Sequence, residues 1–144
     1  MYVEQPMPKE STLDMEWLCQ HSPLPTIADE AVQRLTDLFE LKNYFHGVNI
    51  KLMKCTGIRE GYLMAKIAKS LGLKVMIGCM TESSCGIAAA AQLAPLADWV
   101  DLDGHFLLAN DPFEGLSFNE GVVQLSQFNG SVSYTHLRAH ETDR

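Results

Sequence analysis

No stretch of this chain approaches the ~18 to 20 consecutive apolar residues of a membrane-spanning helix. Its start, Met1-Tyr2-Val3-Glu4-Gln5, lacks the basic and apolar regions of a secretory leader. The expected location is therefore cytoplasmic, off the membrane. Basic residues are scarce: 11 Lys and Arg stand against 18 Asp and Glu in 144 residues, a formal net charge of -7. Without a Lys or Arg cluster, nucleic acid and anionic lipid are not expected partners, and a small ligand is favoured. The four cysteines, Cys19, Cys55, Cys79 and Cys85, form no CxxC pair and read as reduced packing residues. Neither GxGxxG nor GxxxxGK[ST] follows the first apolar run, which removes the commonest nucleotide-binding sheets. His21, His46 and His105 stand apart from any Ser and Asp pattern, so hydrolysis by a triad is not indicated.

What is present can bury one core. A hydrophobic content of 47% suits a globular chain, yet 144 residues fall well short of the ~250 of a closed eightfold α/β barrel. The chain is one domain or part of one. Five short runs, at 1–4, 25–28, 48–52, 74–78 and 99–102, have strand character and are too apolar to alternate, as in a parallel sheet covered on both sides. Helical stretches are expected between them at about 10–20, 31–45 (with a break near Thr36-Asp37), 56–72 and 84–94. Met64, Ile67, Ala68 and Leu71 give the third its apolar stripe and Gly72 its stop, while Pro95 closes the fourth. Alternating strands and helices predict an α/β fold, either an open doubly wound sheet or part of a barrel.

Polar groups recur at the ends of these strands. Glu4 and Asp29 follow the first two, Lys51 the third, and Asp101 with Asp103 the fifth, so all would converge on one mouth. Two strand-end carboxylates are hard oxygen ligands suited to Mg²⁺ shared with substrate oxygens and water. Each could equally be a solvated loop carboxylate, or in Asp29 a helix N-cap. Lys51, desolvated beside other cations, would have a lowered pKa useful to a general base. A rim lysine and an aldolase-type Schiff-base lysine are the other readings, and Lys54 is expected to face water. Asp101 and Asp103 flank Leu102 and point to one side, where they suit a substrate ammonium, a second metal or a solvated turn. Thr81 and Ser83 read as helix caps before the small-residue run 86–91.

Together the motifs Val3-Glu4-Gln5-Pro6, Ala28-Asp29-Glu30, Asn49-Ile50-Lys51-Leu52, Gly78-Cys79-Met80-Thr81-Glu82-Ser83 and Asp101-Leu102-Asp103-Gly104, followed by Asp111-Pro112-Phe113-Glu114-Gly115, resemble the enolase superfamily. The resemblance covers about 1–130 and is to the muconate-lactonizing subgroup, in particular its dipeptide epimerases of the L-Ala-D/L-Glu type. It implies a partial (β/α) TIM-type barrel comprising strands four to eight. It also implies a Mg²⁺-dependent 1,1-proton transfer on a dipeptide, with Glu4 and Asp29 as metal ligands and Lys51 as a catalytic acid/base. Asp101 and Asp103 would receive the dipeptide ammonium, and Cys79 and Met80 would touch substrate. Muconate cycloisomerase-like and o-succinylbenzoate synthase-like chemistry are the alternatives, as is a non-catalytic fragment.

The same resemblance predicts that a capping domain, the first three strands, a second lysine and a first metal ligand lie outside this chain. The chain alone is then expected to be inactive, and homo-oligomer formation is left to a full-length protein. Residues 131–144, Ser-Val-Ser-Tyr-Thr-His-Leu-Arg-Ala-His-Glu-Thr-Asp-Arg, read like a frame through a sequencing adapter and are not expected to be native. His136 and His140 beside Glu141 therefore only imitate a metal pair.

Overall fold

The computed structural model describes residues 1–114, 116–125 and 134–135. Its centre is a five-stranded sheet in the order β1 (Val3–Glu4), β2 (Thr26–Ala28), β3 (Gly47–Lys51), β4 (Lys74–Gly78) and β5 (Trp99–Val100). Every neighbouring pair is parallel, and the longest ladder runs from Gly47↔Lys74 to Lys51↔Gly78. Parallel neighbours need crossovers, and these carry α1 (Thr12–His21), α2 (Leu38–Leu41), α3 (Ile58–Ser70) and α4 (Ser84–Ala91). Strand-helix alternation is thus as expected from the sequence. The open-sheet alternative is removed by curvature: Tyr2 and Trp99, at the two edge strands, bring their rings to 5.1 Å across the sheet's concave side. The architecture is α/β, a partial barrel.

Burial explains the apolar runs. Ala28, Val48, Ile50, Val75 and Ile77 face the helices and pack with Met15, Leu38, Leu41, Met64, Ala68 and Ile87. The alternate positions Ile27, Asn49 and Met76 are also fully buried, on the concave side. Both faces are covered, as in the parallel sheets of α/β proteins.

Helix α3 is the best specified. Gly61, Met64, Ala65 and Ala68 form its buried stripe, and it ends in a Schellman motif: Leu73 N–H donates to Ala68 O at 2.9 Å and Gly72 N–H to Lys69 O at 3.1 Å. Gly72 takes φ +81° there, which only glycine adopts without strain.

The expected helix at 31–45 is largely absent. A 3₁₀ turn at Leu35–Asp37 leads into the four-residue α2, because Asp37 Oδ2 accepts the Gln33 and Arg34 N–H groups at 2.8 Å each and fixes a turn. No helix follows Asp29, so the N-cap reading of that residue fails. The fifth strand is shorter than expected, with Asp101 to Asp103 outside the ladder and a 3₁₀ turn at Gly104–Leu107.

Beyond the sheet, short antiparallel pairs join Ser117–Asn119 to Val122–Gln124 and Phe113–Glu114 to Tyr134–Thr135. The adapter reading of 131–144, with His136, His140 and Glu141, lies outside the described residues apart from 134–135. Among the described residues no helix is long and apolar enough to cross a membrane.

Candidate active site

Concave positions alternate along each strand, so the last one before the chain leaves the sheet points into the mouth. That rule places Glu4, Asp29, Lys51, Asp101 and Asp103 around one cavity of about 400 Å³, together with Gln5, Glu30, Asn49, Gly78 and Cys79. Six of the seven residues singled out in the sequence share this lining. Met80 does not: it is half-exposed beside the cavity, and its backbone N–H donates to Glu82 Oε1 at 3.0 Å.

Asp29 is the most heavily bonded group of the site. Lys51 Nζ donates to its Oδ2 at 2.8 Å, and Lys54 Nζ to its Oδ1 and its backbone carbonyl at 2.6 Å each. Burial would raise the Asp29 carboxyl, but the two ammonium groups outweigh it and hold the carboxyl below its ordinary range. Lys54 corrects the expectation that it faces water. The turn after β3, in which Lys54 N–H donates to Lys51 O at 2.9 Å, folds its side chain back inside. Lys51 needs a second correction. Burial pulls its ammonium down, yet the Asp29 hydrogen bond and the charges of Asp29, Glu4 and Glu30 leave it raised from its ordinary value. Lys54 shifts the opposite way: burial weighs more on it, and Lys51 repels it.

Glu4 is held by Asn49, whose Nδ2 donates to Glu4 Oε1 at 2.6 Å. Asn49 is 2% exposed, and its Oδ1 is buried without a hydrogen-bond partner among the described residues. A Cβ on Gly78 would collide with that oxygen, so glycine leaves the room this asparagine fills.

Gln5 is the other organiser, with φ +33°, unusual for a non-glycine residue. Its Oε1 accepts the Asp29 and Ala31 N–H groups at 2.9 and 3.2 Å and so ties the first strand end to the second. Cys79 lines the cavity as a thiol: burial raises its pKa, Gly104 N–H donates to its sulfur at 3.3 Å, and nearby acidic groups raise it further.

Helix α4 starts differently from the expected caps. Ser83 makes no side-chain cap bond. Asp111 reaches back instead, accepting Ser84 N–H at 2.6 Å through Oδ2 and Phe113 N–H at 3.0 Å through Oδ1. Asn49, Gln5, Lys54 and Asp111 were thus missed by sequence reasoning. Asn49 carried a usable signal, as a polar residue inside an apolar run two positions before Lys51.

The strand-end layout has a counterpart among known proteins. A family model described as enolase C-terminal domain-like matches residues 1–130. The chain belongs to this family.

Within the enolase C-terminal domain-like family, the chain is 52% identical over 128 residues to an L-Ala-D/L-Glu epimerase of Bacteroides thetaiotaomicron, covering 89% of this chain and 33% of that protein. A substrate-liganded L-Ala-D/L-Glu epimerase from Bacillus subtilis superposes with a TM-score of 0.80 at 29% identity, covering 86% of this chain and 36% of that one. A dipeptide epimerase from Enterococcus faecalis, complexed with Mg and the dipeptide L-Leu-L-Tyr, gives 0.76 at 35% identity, with 81% and 35% covered. The chain therefore spans about a third of the length of the curated relative and of both solved structures.

Proposed function

We propose that this chain carries one half of the active site of a Mg²⁺-dependent dipeptide epimerase, which transfers a proton at the α-carbon of the second residue. The observation that carries this reading is the convergence of Lys51, Asp29, Glu4 and the Asp101, Asp103 pair on one cavity. It is supported by the family and by relatives named as epimerases. Substrate class and metal enter by similarity to those relatives, and the identity of the dipeptide is left to the test.

The donor chemistry fits a hard dication. Both oxygens of Asp29 already carry ammonium groups, and Glu4 is oriented by a neighbouring amide, so both carboxylates are arranged to hold positive charge. Among the described residues no three His, Cys, Asp or Glu groups are placed to hold a metal together. Glu4 and Asp29 would then share the ion with the further ligand expected outside this chain and with water and substrate oxygens, as Mg²⁺ prefers. When bound, Mg²⁺ supplies charge neutralisation for the carboxylate beside the acidified α-carbon.

Lys51 Nζ holds or moves the proton at one face of that carbon. Its hydrogen bond to Asp29 and the negative charge around it raise its pKa against the pull of burial, which favours the proton-bearing form of an acid/base group. Asp101 and Asp103, both exposed at the cavity rim, receive the α-ammonium of the substrate. Inversion needs a second group on the opposite face, and no described lysine occupies that place in the cavity lining.

The ammonium assignment is tested in a chimera of the Bacteroides thetaiotaomicron epimerase whose aligned segment is replaced by the 128 matched residues of this chain. Asp101→Asn with Asp103→Asn should raise KM for a free-amine dipeptide and leave an N-acetylated one almost unchanged. Equal losses on both substrates count against the assignment.

A further inference from the structure

The mechanism above uses one of the two lysines on Asp29. The other differs from it in how its hydrogens are used. Lys54 Nζ has three acceptors, Asp29 Oδ1 at 2.6 Å, Asp29 O at 2.6 Å and Asn49 O at 3.2 Å, and an ammonium has three N–H donors. Two of those acceptors are backbone carbonyls, one from the end of β2 and one from β3, which stay where the sheet puts them. Lys51 has one hydrogen bond among the described residues, to Asp29 Oδ2. Lys51 also lines the cavity, whereas Lys54 does not.

We propose that Lys54 is the fixed cation of this site, a positioning residue that sets Asp29, and that a divalent cation entering between Glu4 and Asp29 displaces Lys51 and leaves Lys54 in place. The displacement rests on the metal reading of Glu4 and Asp29 given above; the positioning role does not. The same segment steers the other carboxylate, since the Asn49 side-chain amide donates to Glu4 and the Asn49 backbone carbonyl accepts from Lys54. Residues 49 to 54 thereby set the spacing of both carboxylates. Charge agrees with exchange at Lys51: Glu4, Asp29, Lys51 and Lys54 are formally neutral as a group, and a dication is accommodated with less repulsion when the loosely held ammonium leaves. The consequence for the reaction is that cation entry frees Lys51 from its ion pair and turns it to the substrate. Lys54, with every donor occupied, has no lone pair to offer as a base.

The test uses the chimera described above, which supplies the part of the site outside this chain, and ¹⁵N spectra selective for lysine ammonium groups, with ¹³C detection of the Asp29 carboxyl. Without metal, Lys54 should give a slowly exchanging ammonium signal, and Lys54→Met should move the Asp29 carboxyl shift while Lys54→Arg largely preserves it. On titration with Mg²⁺, the Lys51 signal should change and the Lys54 signal persist. The proposal is overturned if Lys54→Met leaves the Asp29 carboxyl where it was, or if Mg²⁺ releases Lys54 and retains Lys51. Should Mg²⁺ change no resonance, the metal reading of Glu4 and Asp29 falls, and with it the displacement. The Asp29 response to Lys54→Met and Lys54→Arg then decides the positioning role alone.

Discussion

Asn49 Nδ2 donates to Glu4 Oε1 at 2.6 Å although β2 lies between their strands. Such a reach needs a curled sheet, and it makes one buried amide responsible for a carboxylate two strands away. Asn49→Ala should lower stability by about 1–3 kcal/mol, the range for losing a hydrogen bond to a charged, partly buried acceptor. Urea unfolding monitored by circular dichroism reads it, and a change within error would remove Asn49 from the account.

The neighbour of that amide gives a coupled prediction. Gly78→Ala places a methyl against Asn49 Oδ1, and an overpacked core contact costs about 1–3 kcal/mol. In the Asn49→Ala background the three atoms nearest that methyl are gone, so its cost should drop by at least half. A double-mutant cycle on the unfolding free energy checks this. Additive costs would show that the two residues do not meet.

Acid sensitivity should have a traceable contribution from Glu60. The Arg34 guanidinium, with Nε and Nη2 at 2.9 and 3.0 Å, and the Leu35 N–H hold its carboxyl at about 2, below the ordinary 4.5. A depressed native pKa stabilises the fold fully above the unfolded value and loses that contribution as pH falls through the native one. The stability gap between the parent and Glu60→Gln should therefore be flat above about pH 5 and shrink steadily towards pH 2. A gap that stays constant over that range would contradict the pairing.

Helix α4 separates local from distant capping. Asp111→Ala removes the acceptor of the Ser84 N–H and should cost about 1–2 kcal/mol, whereas Ser83→Ala, which loses no cap bond, should stay within about 0.5 kcal/mol. Thermal melts of the two variants compare them directly. The reverse order would return the cap to Ser83.

These residues also show what the sequence made legible. Strand ends could be read because an apolar run stops where a charged residue begins, and that alone brought Glu4, Asp29, Lys51, Asp101 and Asp103 to one mouth. Helix α3 was legible because its stripe is local and its stop is a glycine. What stayed hidden depends on folding at a distance. Asp111 caps a helix 27 residues upstream, and Lys54 turns inward only because the turn at 51–55 brings it back over Asp29. The direction of the Lys51 shift was misread for the same reason: its nearest charge is a carboxylate 22 residues away, not a cation. Residues 31–45 failed as a helix because the Asp37 carboxylate supplied a competing local bond.

The most direct test of the account is α-proton exchange of L-Ala-L-Glu in D₂O by the chimera carrying the 128 aligned residues. With Mg²⁺ the α-proton signal of the second residue should disappear as L-Ala-D-Glu forms. EDTA should stop the reaction, and Lys51→Ala should slow it by about 10²–10⁴-fold, the range expected for a lost general acid/base. A folded chimera that leaves this proton in place, or a Lys51→Ala variant that keeps the parent rate, would contradict the central claim.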